Sequence, residues 1–154
     1  MTPRKILNSV AAWMVISVVL VAGMMAAQPA FASEDHESQC SLETLRGTYI
    51  FNASGHINLQ TGWTPKAVVE FLTFNGDGTL TSVGTASIGG NIAGGSFHQT
   101  TGGYSLKEDC TGTLAFNPQG PHFDIFVVPG GAQIHMIQTD SSNVLAGVVK
   151  RISR

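Results

Sequence analysis

Charge is scarce in this chain: 12% of its 154 residues are Asp, Glu, Lys or Arg, about half the roughly 25% usual in soluble proteins. No basic stripe or cluster appears, and this argues against nucleic acid as a partner, because phosphate binding needs concentrated Lys and Arg. Cysteine is almost absent as well, with only Cys40 and Cys110 and no Cys-x-x-Cys for redox work. No His-Glu-x-x-His or other compact ligand spacing occurs, so neither a metal nor another cofactor is expected. Gly94-Gly95-Ser96-Phe97-His98 is not the Gly-x-Ser-x-Gly elbow that presents a serine nucleophile. After Arg46 nothing is long and periodic enough for a helix.

The one long apolar run stands at the start. Arg4 and Lys5 precede a mostly apolar, uncharged stretch from Ile6 to about Ala27, and Ala30-Phe31-Ala32 supplies the small residues accepted at a signal-peptidase site. Residues 1–32 therefore read as a secretory signal peptide. An uncleaved anchor is the alternative, since the run could nearly span a bilayer. Glu37, Ser38 and Gln39 precede Cys40 where a lipoprotein would carry small apolar residues, so no membrane anchor is expected after processing. Of the 8 basic residues, Arg4 and Lys5 leave with the leader; 6 then face 10 acidic ones, a net charge of −4. Residues 33–41, with Glu34, Asp35 and Glu37, read as a mobile acidic linker, and 42–154 as the folded domain. Export to a secreted or periplasmic location makes a Cys40–Cys110 disulfide the expected state, closing a loop of about 70 residues worth about 3 to 5 kcal/mol.

Strands are most legible from Pro121 to Arg151. Apolar β-branched runs flank Gly130-Gly131, and a third follows Asp140-Ser141-Ser142-Asn143, the signature of an antiparallel meander. Tight turns would set Asp124 opposite Ile137, Phe126 opposite His135 and Gln138 opposite Leu145. One face then carries Phe123, Ile125, Val127, Ile134, Met136, Leu145 and Val149, a core. The other carries His122, Asp124, Phe126, His135, Ile137, Val144, Ala146 and Val148, too apolar for ordinary solvent. Upstream, Leu42 to Arg46 suits a short helical turn. Thr48 to Ile57 and Lys66 to Phe74 alternate as strands, with Leu59 to Pro65 a loop in which Trp63 could cover one end. Asn75-Gly76-Asp77-Gly78 is a hairpin signal leading into Thr79 to Ser87, the region from Gly89 to Gly95 reads as the next turn, and strands follow at Ser96 to Leu106 and Cys110 to Phe116. Eight short strands without helices predict an all-β fold, an eight-stranded antiparallel up-and-down barrel that leaves no exposed edge.

Cys-Ser-Leu-Glu-Thr-Leu-Arg-Gly-Thr-Tyr from Cys40, Phe-Leu-Thr-Phe-Asn-Gly-Asp-Gly-Thr-Leu from Phe71, Asp-Cys-Thr-Gly-Thr-Leu from Asp109, and the later His-Phe-Asp, Ile-Gln-Thr-Asp and Gly-Val-Val-Lys-Arg resemble small secreted bacterial proteins of the allene oxide cyclase-like, calycin-type β-barrels. The likeness covers nearly all of the exported domain and lies mainly in turns and strands. It implies a barrel whose lumen could steer a reactive intermediate, and an oligomer, typically a trimer. No functional residue of the cyclases or the related dirigent proteins maps onto a position here, and the leader and disulfide depart from the cyclases.

Glu70, inside Ala-Val-Val-Glu-Phe-Leu-Thr-Phe, is the candidate catalytic or ligand-orienting acid if it faces the lumen, where desolvation would raise its pKa; facing outward it is an ordinary strand carboxylate. Tyr49, Phe51, Glu70, Phe71, Met136 and Gln138 are the candidate ligand-binding residues, with simple core packing as the alternative reading for the apolar ones. Asp124 and His135 are a candidate polar pair, for which a surface or subunit-contact pair is the simpler reading. Three functions follow as expectations: binding of a small apolar molecule in the lumen, cyclase or isomerase chemistry by confinement, or a structural or interaction role in the envelope. The second apolar face of the meander predicts a homo-oligomer.

Overall fold

The computed structural model describes residues 39–154; the expected signal peptide and most of the acidic linker lie outside the described residues. A single 3-10 turn, Leu42–Leu45, is followed by β1 (Gly47–Leu59), β2 (Gly62–Phe74), β3 (Thr79–Ile88), β4 (Asn91–Leu106), β5 (Thr111–Phe116), β6 (His122–Val127), β7 (Gln133–Gln138) and β8 (Asn143–Ser153). Each strand pairs antiparallel with the next, and β8 pairs back onto β1, closing an up-and-down barrel.

Period-two alternation decides which side chains fill the lumen. Phe123, Ile125 and Val127 on β6, Ile134 and Met136 on β7, and Leu145 and Val149 on β8 are all buried. The meander has the expected register, with Asp124 opposite Ile137 and Phe126 opposite His135. Ile137 lies opposite Ala146, the register that sets Gln138 against Leu145. On the other strands Tyr49, Phe51, Leu72, Phe74, Leu80 and Leu114 complete the core.

One end of the barrel is sealed. Leu45 of the 3-10 turn is fully buried there, and Tyr49 Oη donates to Gly131 O at 2.8 Å while accepting from Arg151 Nε at 2.8 Å. Arg151 also donates to Gly130 O and Thr44 O, and its guanidinium lies 5.1 Å from the Tyr49 ring centroid. The Cys40–Cys110 disulfide, with Cα atoms 5.0 Å apart, ties the segment before the turn to the β4–β5 connection. Cys40 is buried, so the folded domain takes in the end of the segment read as linker. Two turns at this end share a device: Asp77 Oδ1 accepts Thr79 N and Oγ1, and Asp109 Oδ1 accepts Thr111 N and Oγ1. In both cases the threonine hydroxyl and amide hold the exposed aspartate below its ordinary pKa.

Two boundaries differ from the sequence reading. β2 starts at Gly62, because the register Asn58 opposite Trp63 and Leu59 opposite Gly62 continues the ladder. Trp63 is therefore a strand residue, exposed on the barrel's flank. β4 starts at Asn91, with Gly94 and Gly95 inside the strand rather than in a turn. Ala86 pairs with Ala93 and Gly84 with His98, so four residues of β4 face one of β3. This excursion puts Phe97 at φ 56° with its amide donated to Thr85 Oγ1 at 3.0 Å.

Candidate functional site

The opposite end of the barrel is open, for a reason of strand length. β1, β2 and β4 run 13, 13 and 16 residues, whereas β5, β6 and β7 run 6 each. β4 leaves β5 at Gly102, opposite Phe116, and the connection Asn117 to Pro121 lies where further strand pairing would be. Asn117 N donates to Thr101 O at 2.8 Å, and Thr100 Oγ1 to Asn117 O at 3.0 Å. Between this connection and the long strands lies a cavity of about 430 Å³, within the volume range of small-molecule sites.

Its floor is aromatic. Phe51 from β1, Phe123 from β6 and Phe116 from β5 line it together with Leu145. The ring centroids stand 6.0 Å apart for Phe51 and Phe123 and 6.2 Å for Phe116 and Phe123, both pairs edge-to-face. Gly147 makes room for the first ring: a Cβ there would stand 2.7 Å from Phe51 Cε2 and 2.5 Å from Asn52 O. Val68, Ala86, Ile88 and Ala93 form the walls.

Glu70 also lines this cavity. It lies across the β1–β2 ladder from Phe51 and across the β2–β3 ladder from Gly84. A Cβ at residue 84 would sit 1.7 Å from Glu70 Cγ, so glycine is required for the carboxylate's path. Burial raises the Glu70 pKa; the nearby Ser82 hydroxyl and the Lys66 charge oppose that shift without cancelling it. The Ser82 hydroxyl makes no hydrogen bond of regular geometry and acts on the carboxyl as a nearby dipole.

A polar strap crosses the mouth from β2 to β6. Lys66 Nζ donates to Gln138 Oε1 at 3.0 Å and to Asn143 Oδ1 at 3.5 Å. Gln138 Nε2 donates to Asp140 Oδ2 at 2.7 Å, which also accepts His122 N at 2.8 Å. His122 Nδ1 meets Asp140 Oδ1 at 2.7 Å. Burial lowers the Lys66 pKa, with Asp140 and Glu70 opposing. Burial also pushes the Asp140 carboxyl upward, but the hydrogen bonds from Gln138 and His122 outweigh it and hold the group low.

Of the six candidate ligand-binding residues, Phe51 and Glu70 line the cavity. Tyr49 is at the sealed end, Met136 is in the packed core, and Gln138 belongs to the strap. Phe71 points outward and is half exposed; it neighbours Glu70 on β2, and period-two alternation forbids both from facing the lumen. Asp124 and His135 are on the outer wall and form no ion pair, His135 Nε2 meeting Gln133 Nε2 at 2.7 Å instead. Sequence reasoning missed Lys66, although it shares Glu70's parity on β2 and the signal was available there. It also missed His98, Phe116 and Phe123 as cavity residues, because these come together only when the barrel closes. Among the described residues no group of three or more His, Cys, Asp or Glu could hold a metal ion, and no helix is long and apolar enough to cross a membrane. No protein-family model, curated protein or solved structure matches the chain, so a functional reading rests on the cavity itself.

Proposed function

We propose that this chain is an exported β-barrel that binds a small apolar molecule in the cavity at its open end. The carrying observation is that one end is sealed by Tyr49, Arg151 and the disulfide, while the other keeps about 430 Å³ over a floor of Phe51, Phe116 and Phe123. A barrel selected only for stability would fill that space with side chains, since cavities cost packing energy. The disulfide fits the oxidising conditions outside the cytoplasm. Native-state mass spectrometry against a library of small apolar compounds tests the reading. Bound species are expected with the native protein and not with Ala86→Phe, whose ring would occupy the cavity; a library with no binders would refute it.

A second reading, cyclase or isomerase chemistry by confinement, is favoured by the placement of Glu70 in that cavity, where burial raises its pKa, the direction in which a proton-transfer carboxyl is tuned. Glu70→Gln would then abolish turnover while leaving ligand retention in place. The apolar outer wall supports self-association, and an interaction role in the envelope would use the same surface.

A further inference from the structure

Resting on the reading that the cavity binds a small apolar molecule, we propose that this molecule is an organic amine. Its ammonium pairs with Glu70, and its apolar body lies on the Phe51, Phe116 and Phe123 floor. A neutral apolar ligand needs no acid in its site, and burying a carboxyl is costly unless something pairs with it. The fold nonetheless provides for this one, through a glycine at position 84 whose Cβ would collide with the Glu70 side chain.

Besides His98, the ionisable residues of the lining are Lys66 and Glu70. Lys66 is committed to Gln138 and Asn143 across the mouth. The Ser82 hydroxyl and the Lys66 charge act on Glu70 without cancelling the effect of its burial, which leaves the carboxylate open to a cationic ligand. Phe51 is its direct cross-strand neighbour, beginning the run of rings that continues through Phe123 to Phe116. A carboxylate beside aromatic rings attracts a cation twice, by charge and by the negative face of each ring. Burial favours the neutral form of Glu70, and an ammonium beside it would offset that penalty. Lys66 and His98 are the other titratable groups lining the cavity; Lys66 stands nearer the mouth on β2, whereas His98 shares the rung of Glu70, both lying opposite Gly84, so the amine's charge is placed at that rung and its body fills the space beneath the strap.

The test is isothermal titration of the purified protein with three probes of nearly equal size: phenethylamine, phenethyl alcohol and phenylacetate. The amine is expected to bind at least about tenfold more tightly than the alcohol, the equivalent of one charge-assisted contact, and phenylacetate more weakly still. Glu70→Gln, checked for native circular dichroism, should erase the amine's advantage over the alcohol when both are measured on that variant. Equal binding of amine and alcohol, or tightest binding of phenylacetate through Lys66, would overturn the amine assignment while leaving the apolar cavity reading intact. Binding of none of the three would count against both.

Discussion

Glu70 shows at the scale of one side chain how a site departs from a stable core. Its folded-state pKa is raised above the unfolded value of 4.5, so the folded chain holds this proton more tightly than the unfolded one. Stability therefore falls as pH rises from about 4.5 through the raised folded value, the reverse of what a salt-bridged carboxylate does. Asp140, held low by its hydrogen bonds, contributes in the opposite sense, losing stability as pH falls. The two are separated by comparing Glu70→Gln with the native protein. The variant's melting temperature should match or trail the native one at pH 4 and exceed it at pH 8; a difference that does not change with pH would show that Glu70 ionises freely in the fold. Tyr49 is the counter-example, a buried polar group fully committed to structure. Tyr49→Phe leaves Gly131 O without its donor and Arg151 Nε without its acceptor, a loss of about 1 to 3 kcal/mol. Denaturant unfolding should register it, with ligand binding at the far end unchanged.

The turns and strands were the part legible in the sequence. Asn75-Gly76-Asp77-Gly78 announced its hairpin because that turn needs positive φ at residues 76 and 78, which glycine supplies. The meander announced its register because a one-residue slip would turn Phe123 and Ile125 out of the core. Glycine misled where it did not mark a turn, since Gly94 and Gly95 serve an excursion within β4 that only the pairing with β3 defines. The cavity was legible in part: Glu70 and Phe51 stood out, but the gap above Gly102 follows from unequal strand lengths, and those depend on tertiary pairing. The connection of Cys40 to Cys110 was expected from export alone, and its effect is set by the 70 residues between them. On the chain-entropy model the bond adds about 4 kcal/mol. Equilibrium unfolding with and without reductant should show that difference as a shift in midpoint; coincident curves would mean that the sealed end holds without its covalent tie.

The whole molecule presents a problem its own closure cannot solve, because a barrel buries its inside and not its outer wall. Ile50 lies opposite Phe71, and Phe71 opposite Val83, outward across β1 to β3. Phe126, Ile137, Ala146 and Val148 continue the apolar surface across β6 to β8. On the outward positions of those six strands only Asp124 and Lys150 carry full charges. Phe71 and Phe126 are 51% and 53% exposed; Phe71 with Val69 on β2, and Phe126 with Ile137 and Val144 on β6 to β8, stand on opposite walls of the closed eight-strand ring, so each wall offers its own apolar patch to a neighbour. Monomers rarely leave large apolar side chains clustered on their outer wall, and further copies of the chain, nearly uncharged on the same surfaces, would cover these patches without electrostatic penalty. The native protein should therefore sediment as a homo-oligomer at micromolar concentration. Ile137→Lys, at an outward position where substitution changes folding stability by only about 0.5 kcal/mol, should weaken assembly by tenfold or more by placing an unpaired ammonium in the interface, roughly the 1.4 kcal/mol expected of a contributing contact. A native protein that sediments as a monomer would leave the patches open to some other apolar partner, and the oligomer would have to be given up.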